Sequence, residues 1–377
     1  MTTRNDHDGT TDSDAAPGSG DDFAAVDALV DWDLARRTAS RLVRPGPAVS
    51  AQEARDVVAE LRADAVASTG HVGRTTGLHA EPGEDVLVID RVGWVGANIG
   101  AFRTLLGPAV NQALSKRDKP PNAVITAVGS RVTGAEVGSL LSLLSSRVLG
   151  QFDLFADPAA TVSGHGRLLL VAPNIVHAER EMEVDPTDFR LWVCLHEETH
   201  RVQFAANPWL RTFMVQQVRE LVVDLLGEPG ALVDRLASAA RQLPEVFRGE
   251  HNGLLDLIQT PEQRRKLAEL TAVMSLLEGH ADVVMDDVGP QVIPSVAEIR
   301  GRFTARRAGR GALDQLLRRL LGLEAKMKQY ADGAAFVRGV VDKIGMDGFN
   351  EVWTSPETLP KPEEINDPAA WVRRVHG

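Results

Sequence analysis

A single cysteine, Cys194, is all that the 377 residues carry, so no disulfide can form within the chain. That scarcity fits a reducing compartment, and a cytoplasmic location is the expectation. The opening stretch, MTTRNDHDGTTDSDAAPGSGDD, lacks both the basic segment and the apolar core of a secretory signal. No run reaches the roughly 20 uncharged apolar residues that cross a bilayer. The longest candidate, Val137–Leu149, is rich in serine and carries Arg147, so no membrane partner is expected. Positive charge is in deficit: 41 basic against 52 acidic side chains leave a net charge of −11, which opposes general binding to nucleic-acid backbones. Internal repeats are also missing. What remains is the composition of a soluble globular protein, 44% hydrophobic and long enough to bury a large core without staples.

Residues 1–22 hold almost no large apolar side chain and read as a disordered acidic tail, because burial cannot offset their ordering entropy. From Phe23 apolar residues recur at helical spacing, and Ser50 with Glu53 forms a capping-box pattern ahead of a helix. The β-branched run Val86–Ile89 predicts a strand. Beyond it Gly93, Gly96, Ala97 and Gly100 recur every three or four residues and predict close helix packing. Their spacing does not match the G-x-G-x-x-G loop that grips dinucleotide phosphates. Gly134–Leu149 predicts another helix and Gly166–Pro173 a second strand. Asp185 with Pro186, and Asn207 with Pro208, each mark a helix start, so one helix runs to Ala206 and the next to about Gly227. Thr260, Pro261, Glu262 and Gln263 open a long helix that Gly289 and Pro290 stop. A further helix is expected over Leu313–Tyr330, then a proline-punctuated tail. The fold class is mainly α, of α+β type, with a short β-sheet. Residues 23–158 read as an N-terminal helical region with a short strand, and 159–377 as the catalytic region.

Within the Asp185 helix lies His196-Glu197-Glu198-Thr199-His200, an H-E-x-x-H motif flanked by Leu191, Trp192, Val193, Leu195, Val202 and Phe204. Residues four apart share a helix face about 5–6 Å apart, so the two imidazoles can chelate one Zn2+. Glu197, rotated about 100° from His196, is placed to act as the base beside the metal. A catalytic zinc takes a third protein ligand. In TAVMSLLEGHADVVMDD the residues Thr271, Ser275, Glu278 and Asp282 form a polar stripe on an apolar helix. Glu278 is the natural third ligand, and Asp282, one turn on, is placed to accept the free N–H of a ligating histidine. His280 is the rival, about 200° around the helix from Glu278.

H-E-x-x-H followed much later by E-x-x-x-D resembles the gluzincin pattern. More closely, the chain resembles the bacterial zincin-like metallopeptidases, some of which carry a name linking them to biosynthesis of a deazaflavin coenzyme. The residues that carry the likeness are Asp90, Arg91, Trp94 and Asn98; GRLLLVAPN; LHEETHRVQF; LLEGHADVVMD; KMKQY with Gly333; and FNEVW with Trp371. Together they span most of residues 85–375. The resemblance implies a helix-rich zincin-like fold, His196 and His200 as ligands, Glu197 as catalytic carboxylate and Glu278 as third ligand. The 78 positions from His200 to Glu278 exceed the separation in compact gluzincins.

Zinc-dependent hydrolysis of a peptide or small amide substrate is the function expected. The alternative is a non-catalytic binding or scaffold protein in which a closed zinc site joins two helices. Tyr330, the only tyrosine, shares a helical face with Lys326 and is a candidate oxyanion donor. Cys194, about 200° from His196, points toward packing. Arg300, Arg302, Arg306, Arg307, Arg310, Arg318 and Arg319 form a basic cluster that reads as a surface paired with the protein's own carboxylates. His71, His79, His165 and His177 lack ligand spacing and read as surface residues.

Overall fold

Arg167–Val171 (RLLLV), buried at four of its five positions, is the centre strand β3 of a three-stranded sheet. A strand covered on both faces needs a continuous apolar run rather than an alternating one. The computed structural model describes residues 23–81, 85–115, 123–162, 164, 166–226, 260–308 and 323–377, excepting the side chains of 113–115, 123–128, 225–226, 307–308 and 323–331. The tail expected over residues 1–22 lies outside these.

Strand β1 (Val86–Ile89) pairs parallel to β3, with Val86 opposite Leu168. Strand β2 (Gly150–Asp153) pairs antiparallel on the other side, with Gly150 opposite Leu170. Leu168 and Leu170 join one core with Leu61, Ile175, Phe189 and Leu195, while Leu169 and Val171 join another with Ala35, Trp94, Ile99 and Leu141. This alternation places helices on both faces. A third core gathers Phe204, Leu210, Leu276, Phe336, Phe349 and Trp371. The boundary expected between residues 158 and 159 falls between β2 and β3, which are neighbours in this one sheet.

Among the described residues the α-helices, in chain order, are α1 (Ala24–Leu29), α2 (Trp32–Leu42), α3 (Ala51–Thr76), α4 (Arg91–Ser115), α5 (Ala123–Ser145), α6 (Ala172–Met182), α7 (Pro186–Ala206), α8 (Pro208–Leu226), α9 (Pro261–Val288), α10 (Val296–Ala308), α11 (Leu323–Phe349) and α12 (Pro368–His376). The chain is therefore mainly helical with a short sheet. Asp185 caps α7 by accepting the Asp188 N–H, and Thr260 with Gln263 forms the full capping box of α9. At α3 only half the box exists: Ser50 accepts the Glu53 N–H at 3.1 Å, but the Glu53 carboxylate is held by Arg180.

Three expectations fail. Gly96 and Gly100 face open space, whereas tight packing occurs at Gly134 and Gly138, where a Cβ would come within 2.5 Å of the Asp31 carbonyl oxygen and 2.3 Å of that of Ala35. The helix expected to end at Tyr330 continues as α11 to Phe349, with a break at Gly345 (φ 74°). Its Gly333 lies against α9, where a Cβ would stand 2.0 Å from the Ser275 carbonyl oxygen. Residues 313–322 of that expected helix lie outside the described residues. Third, the tail ends in a capped helix, α12, with Asp367 accepting the Ala370 N–H.

Candidate metal centre

Helices α7 and α9 meet so that His196, His200 and Glu278 converge, with one donor atom from each within 4.8 Å of the others. The two Nε2 atoms are 3.3 Å apart. His196 Nε2 lies 3.5 Å from Glu278 Oε2, and His200 Nε2 lies 3.7 Å from Glu278 Oε1. For zinc bonds of about 2.0–2.1 Å at tetrahedral angles, neighbouring donors stand about 3.3–3.4 Å apart. The three sides of this triangle are close to that value, and the imidazole and carboxylate donors suit zinc.

The hydrogen-bond network assigns the proton on His200. The Gln203 side chain donates Nε2–H to the Leu277 carbonyl at 3.0 Å and to His280 Nδ1 at 2.9 Å. A carbonyl can only accept, so Oε1 must be the end that faces His200 Nδ1 at 3.0 Å. His200 therefore carries its proton on Nδ1 and turns a bare Nε2 toward Glu278. Gln203 is completely buried, and it couples one imidazole to the backbone of the facing helix. His196 Nδ1 stands 3.2 Å from the Met285 thioether.

Without a metal the charges conflict. Burial opposes a cation at His196, but the hydrogen bond and charge of Glu278, with Glu197 and Asp282, outweigh it and lift its pKa to about 9. Burial, joined by repulsion from Glu278 against the pull of His196, raises Glu197 to about 7. Burial lowers His200 despite Glu278 nearby.

Glu197 is 8% exposed, and among the described residues its carboxylate accepts no hydrogen bond. Gly150, the first residue of β2, lies directly against it: a Cβ there would be 2.4 Å from Glu197 Cγ. Strand β2 is held over this carboxylate by α4. Trp94 Nε1 donates to Gln151 Oε1 at 2.7 Å, Asn98 and Gln151 exchange hydrogen bonds at 3.2 Å, and buried Arg91 binds Asn174 Oδ1 at 2.6 Å. Asp90, Arg91, Trp94 and Asn98 thus help anchor α4 and the strand that borders the centre.

The remaining predicted residues fall elsewhere. Asp282 does not accept from either ligand imidazole, because both Nδ1 atoms already face Met285 and Gln203. Its carboxylate is 3.9 Å from Arg300, which also donates to its carbonyl. His280 stands behind the centre, fully buried and stacked on Phe349 at 5.4 Å, and burial drops its pKa to about 3. Tyr330 lies on α11, and its side chain, like that of Lys326, is outside the described residues. Cys194 is buried beside the Leu61 carbonyl at 3.7 Å, its thiol pushed up by burial. Arg300 and Arg306 pair with Asp286 and Glu181, each at 2.6 Å, and Arg302 with Glu298 at 2.7 Å. The side chains of Arg307, Arg310, Arg318 and Arg319, and residue His165, lie outside the described residues. His177 is half exposed beside Glu181. Gln203 and Met285 had no assigned role in the sequence, although Gln203, three residues after His200 inside an apolar run, carried a readable signal.

The sequence pattern of the zincin-like metallopeptidases matches residues 30–372. The chain belongs to the zincin-like metallopeptidase family. A crystal structure from Chloroflexus aurantiacus, described as "a putative hydrolase with a novel fold", is similar at 32% identity. It aligns over 92% of this chain and 99% of that one, with a TM-score of 0.64. A search of the curated proteins finds no match. No described helix is long and apolar enough to cross a membrane.

Proposed function

We propose that this zincin-like protein is a zinc-dependent hydrolase of peptide or small amide bonds. The observation that carries the reading is the donor triangle of His196, His200 and Glu278, with Glu197 free beside it. Zinc held there would lower the pKa of its water to about 7 and polarise the scissile carbonyl. The chain's own groups do the rest. Gln203 keeps the His200 proton on Nδ1, leaving Nε2 as a donor. Glu197, raised by burial toward neutrality, takes a proton from the attacking water and returns it to the leaving amine. No fourth His, Cys, Asp or Glu joins the triangle among the described residues. That favours a catalytic site, which keeps an open position, over a closed structural one.

The test is a pair of variants on purified protein, with zinc measured by elemental analysis and cleavage measured on a peptide library with and without chelator. Glu197→Gln is expected to keep one equivalent of zinc and lose turnover, and His200→Ala to lose the metal. Turnover retained by Glu197→Gln would overturn the base assignment.

A further inference from the structure

A second charged feature lies away from the metal centre. Helices α4 and α8 and the segment after β2 border a half-open cavity of about 560 Å3 whose walls include Thr104, Phe155, Arg211, Gln216, Arg219 and Glu220. Arg211, Val215 and Arg219 succeed one another at four-residue spacing along α8, and all three line the cavity. Neither arginine has a carboxylate partner among the described residues. Arg211 donates only to two neutral acceptors, the Leu154 carbonyl at 3.1 Å and the Ala156 carbonyl at 3.3 Å. Among the described residues Arg219 makes no hydrogen bond or ion pair, and its buried Nε has nothing to donate to. The nearby acids give their closest contacts to other groups: Asp153 pairs with Arg167 at 3.0 Å and reaches Arg211 only through its charge, and Glu220 meets Gln216 at 2.9 Å and, more loosely, Lys266.

Burial disfavours the charge on both guanidiniums, and the charge of Arg219 presses further on Arg211, so the pair is costly to hold in place. An oxyanion in the cavity would remove that cost, since guanidinium forks bind carboxylate and phosphate through paired, charge-assisted hydrogen bonds.

We propose that the cavity between α4 and α8 is a binding site for a small-molecule oxyanion, a carboxylate or phosphate group, held by Arg219 and Arg211. The site is distinct from the metal centre. Gly150, against Glu197, begins strand β2, and Arg211 grips the chain at Leu154, four residues or roughly 13 Å further on at about 3.3 Å per residue.

The experiment uses the full chain after chelator treatment, so that phosphate has no metal to bind, in a chloride buffer free of oxyanions. Inorganic phosphate and, separately, glutarate are titrated by calorimetry and by thermal melting. Saturable binding of one equivalent of either, with a rising melting temperature, is the expected result, and which anion binds more tightly tells phosphate from carboxylate chemistry. Arg219→Gln should weaken binding at least about tenfold while leaving the melting temperature of the anion-free protein unchanged or higher. Gln216→Glu, which adds a competing carboxylate and removes no arginine, should weaken it as well and decides the matter if Arg219→Gln does not fold. The proposal is overturned if neither anion binds saturably up to about 20 mM. Equal binding by wild type and variants, or loss of anion-free stability in Arg219→Gln as from a packing residue, would overturn it too.

Discussion

Replacing Gly150 with alanine isolates the role of Glu197 without touching the metal ligands. The added Cβ would stand 2.4 Å from Glu197 Cγ, 2.7 Å from Cδ and 2.8 Å from Oε1, whereas carbon atoms in contact sit about 3.5–4.0 Å apart. The carboxylate must therefore move by about 1 Å or more. Because the obstructing atoms belong to a swinging side chain, the cost in stability should be at the low end of overpacking, about 1–2 kcal/mol. The functional cost should be far larger. A misplacement of about 1 Å in a reacting group lowers rates roughly 100-fold, and complete loss of a general base costs up to about 10,000-fold. Gly150→Ala should thus retain full zinc, melt within a few degrees of wild type and hydrolyse at about 1% of the wild-type rate or less. The assays are elemental analysis, a melting curve, and turnover of a library-derived peptide with Glu197→Gln as the floor. Wild-type turnover in Gly150→Ala would refute the assignment of Glu197 as base. Loss of zinc would refute the claim that the strand constrains the base alone.

Other substitutions probe the framework. Gln203→Leu strips three partners at once, the His200 Nδ1–H, the Leu277 carbonyl and His280 Nδ1; equilibrium dialysis should show zinc affinity falling about 10–100-fold, and chemical denaturation a loss of about 2–4 kcal/mol. Gly279→Ala would drive a Cβ to 2.2 Å from the Gly333 carbonyl carbon, and denaturation should report a loss of about 3 kcal/mol or more with weakened zinc binding at the adjacent Glu278. Asp64, raised to about 6 by burial and then by Glu60, is penalised in the folded state once it ionises. The penalty is absent below the unfolded pKa near 4, grows between about pH 4 and 6, and is full above that. Asp64→Asn should therefore be more stable than wild type at pH 8 by about 1–2 kcal/mol, discounted for partial exposure, with the two melting curves merging near pH 4. Equal stability at pH 8 would contradict the burial argument.

Much of the centre could be read from local pattern, because local physics decides it. The Asp185–Pro186 cap, the Thr260–Gln263 capping box and the i,i+4 histidines are short-range features whose meaning survives folding. Glu278 was visible as a polar break in an apolar helix. Features that depend on distant neighbours were not. Strand β2 has only Phe152 as a large apolar residue, and it exists because β3 offers it an edge and α4 clamps Gln151. Small residues at Gly93–Gly100 and at Gly134–Gly138 look alike in sequence, yet only the second set meets a neighbouring backbone. Asp282 was assigned by helical phase alone, but Gln203 and Met285 occupy the positions beside both Nδ1 atoms. Helix α12 could have been read, since Asp367–Pro368 repeats the start signal seen at Asp185–Pro186.

The contact between Gly279 and Gly333 carries a consequence for how this centre withstands change. Where two main chains touch, no rotamer can yield, so even one added methyl would force α9 and α11 apart. Glu278 is the residue just before Gly279, so a shift of the helices at that contact would carry its carboxylate along. Core substitutions elsewhere can accumulate and exchange volume while the carboxylate keeps its heading, which makes two glycines the hinge-pin on which tolerance of sequence drift turns.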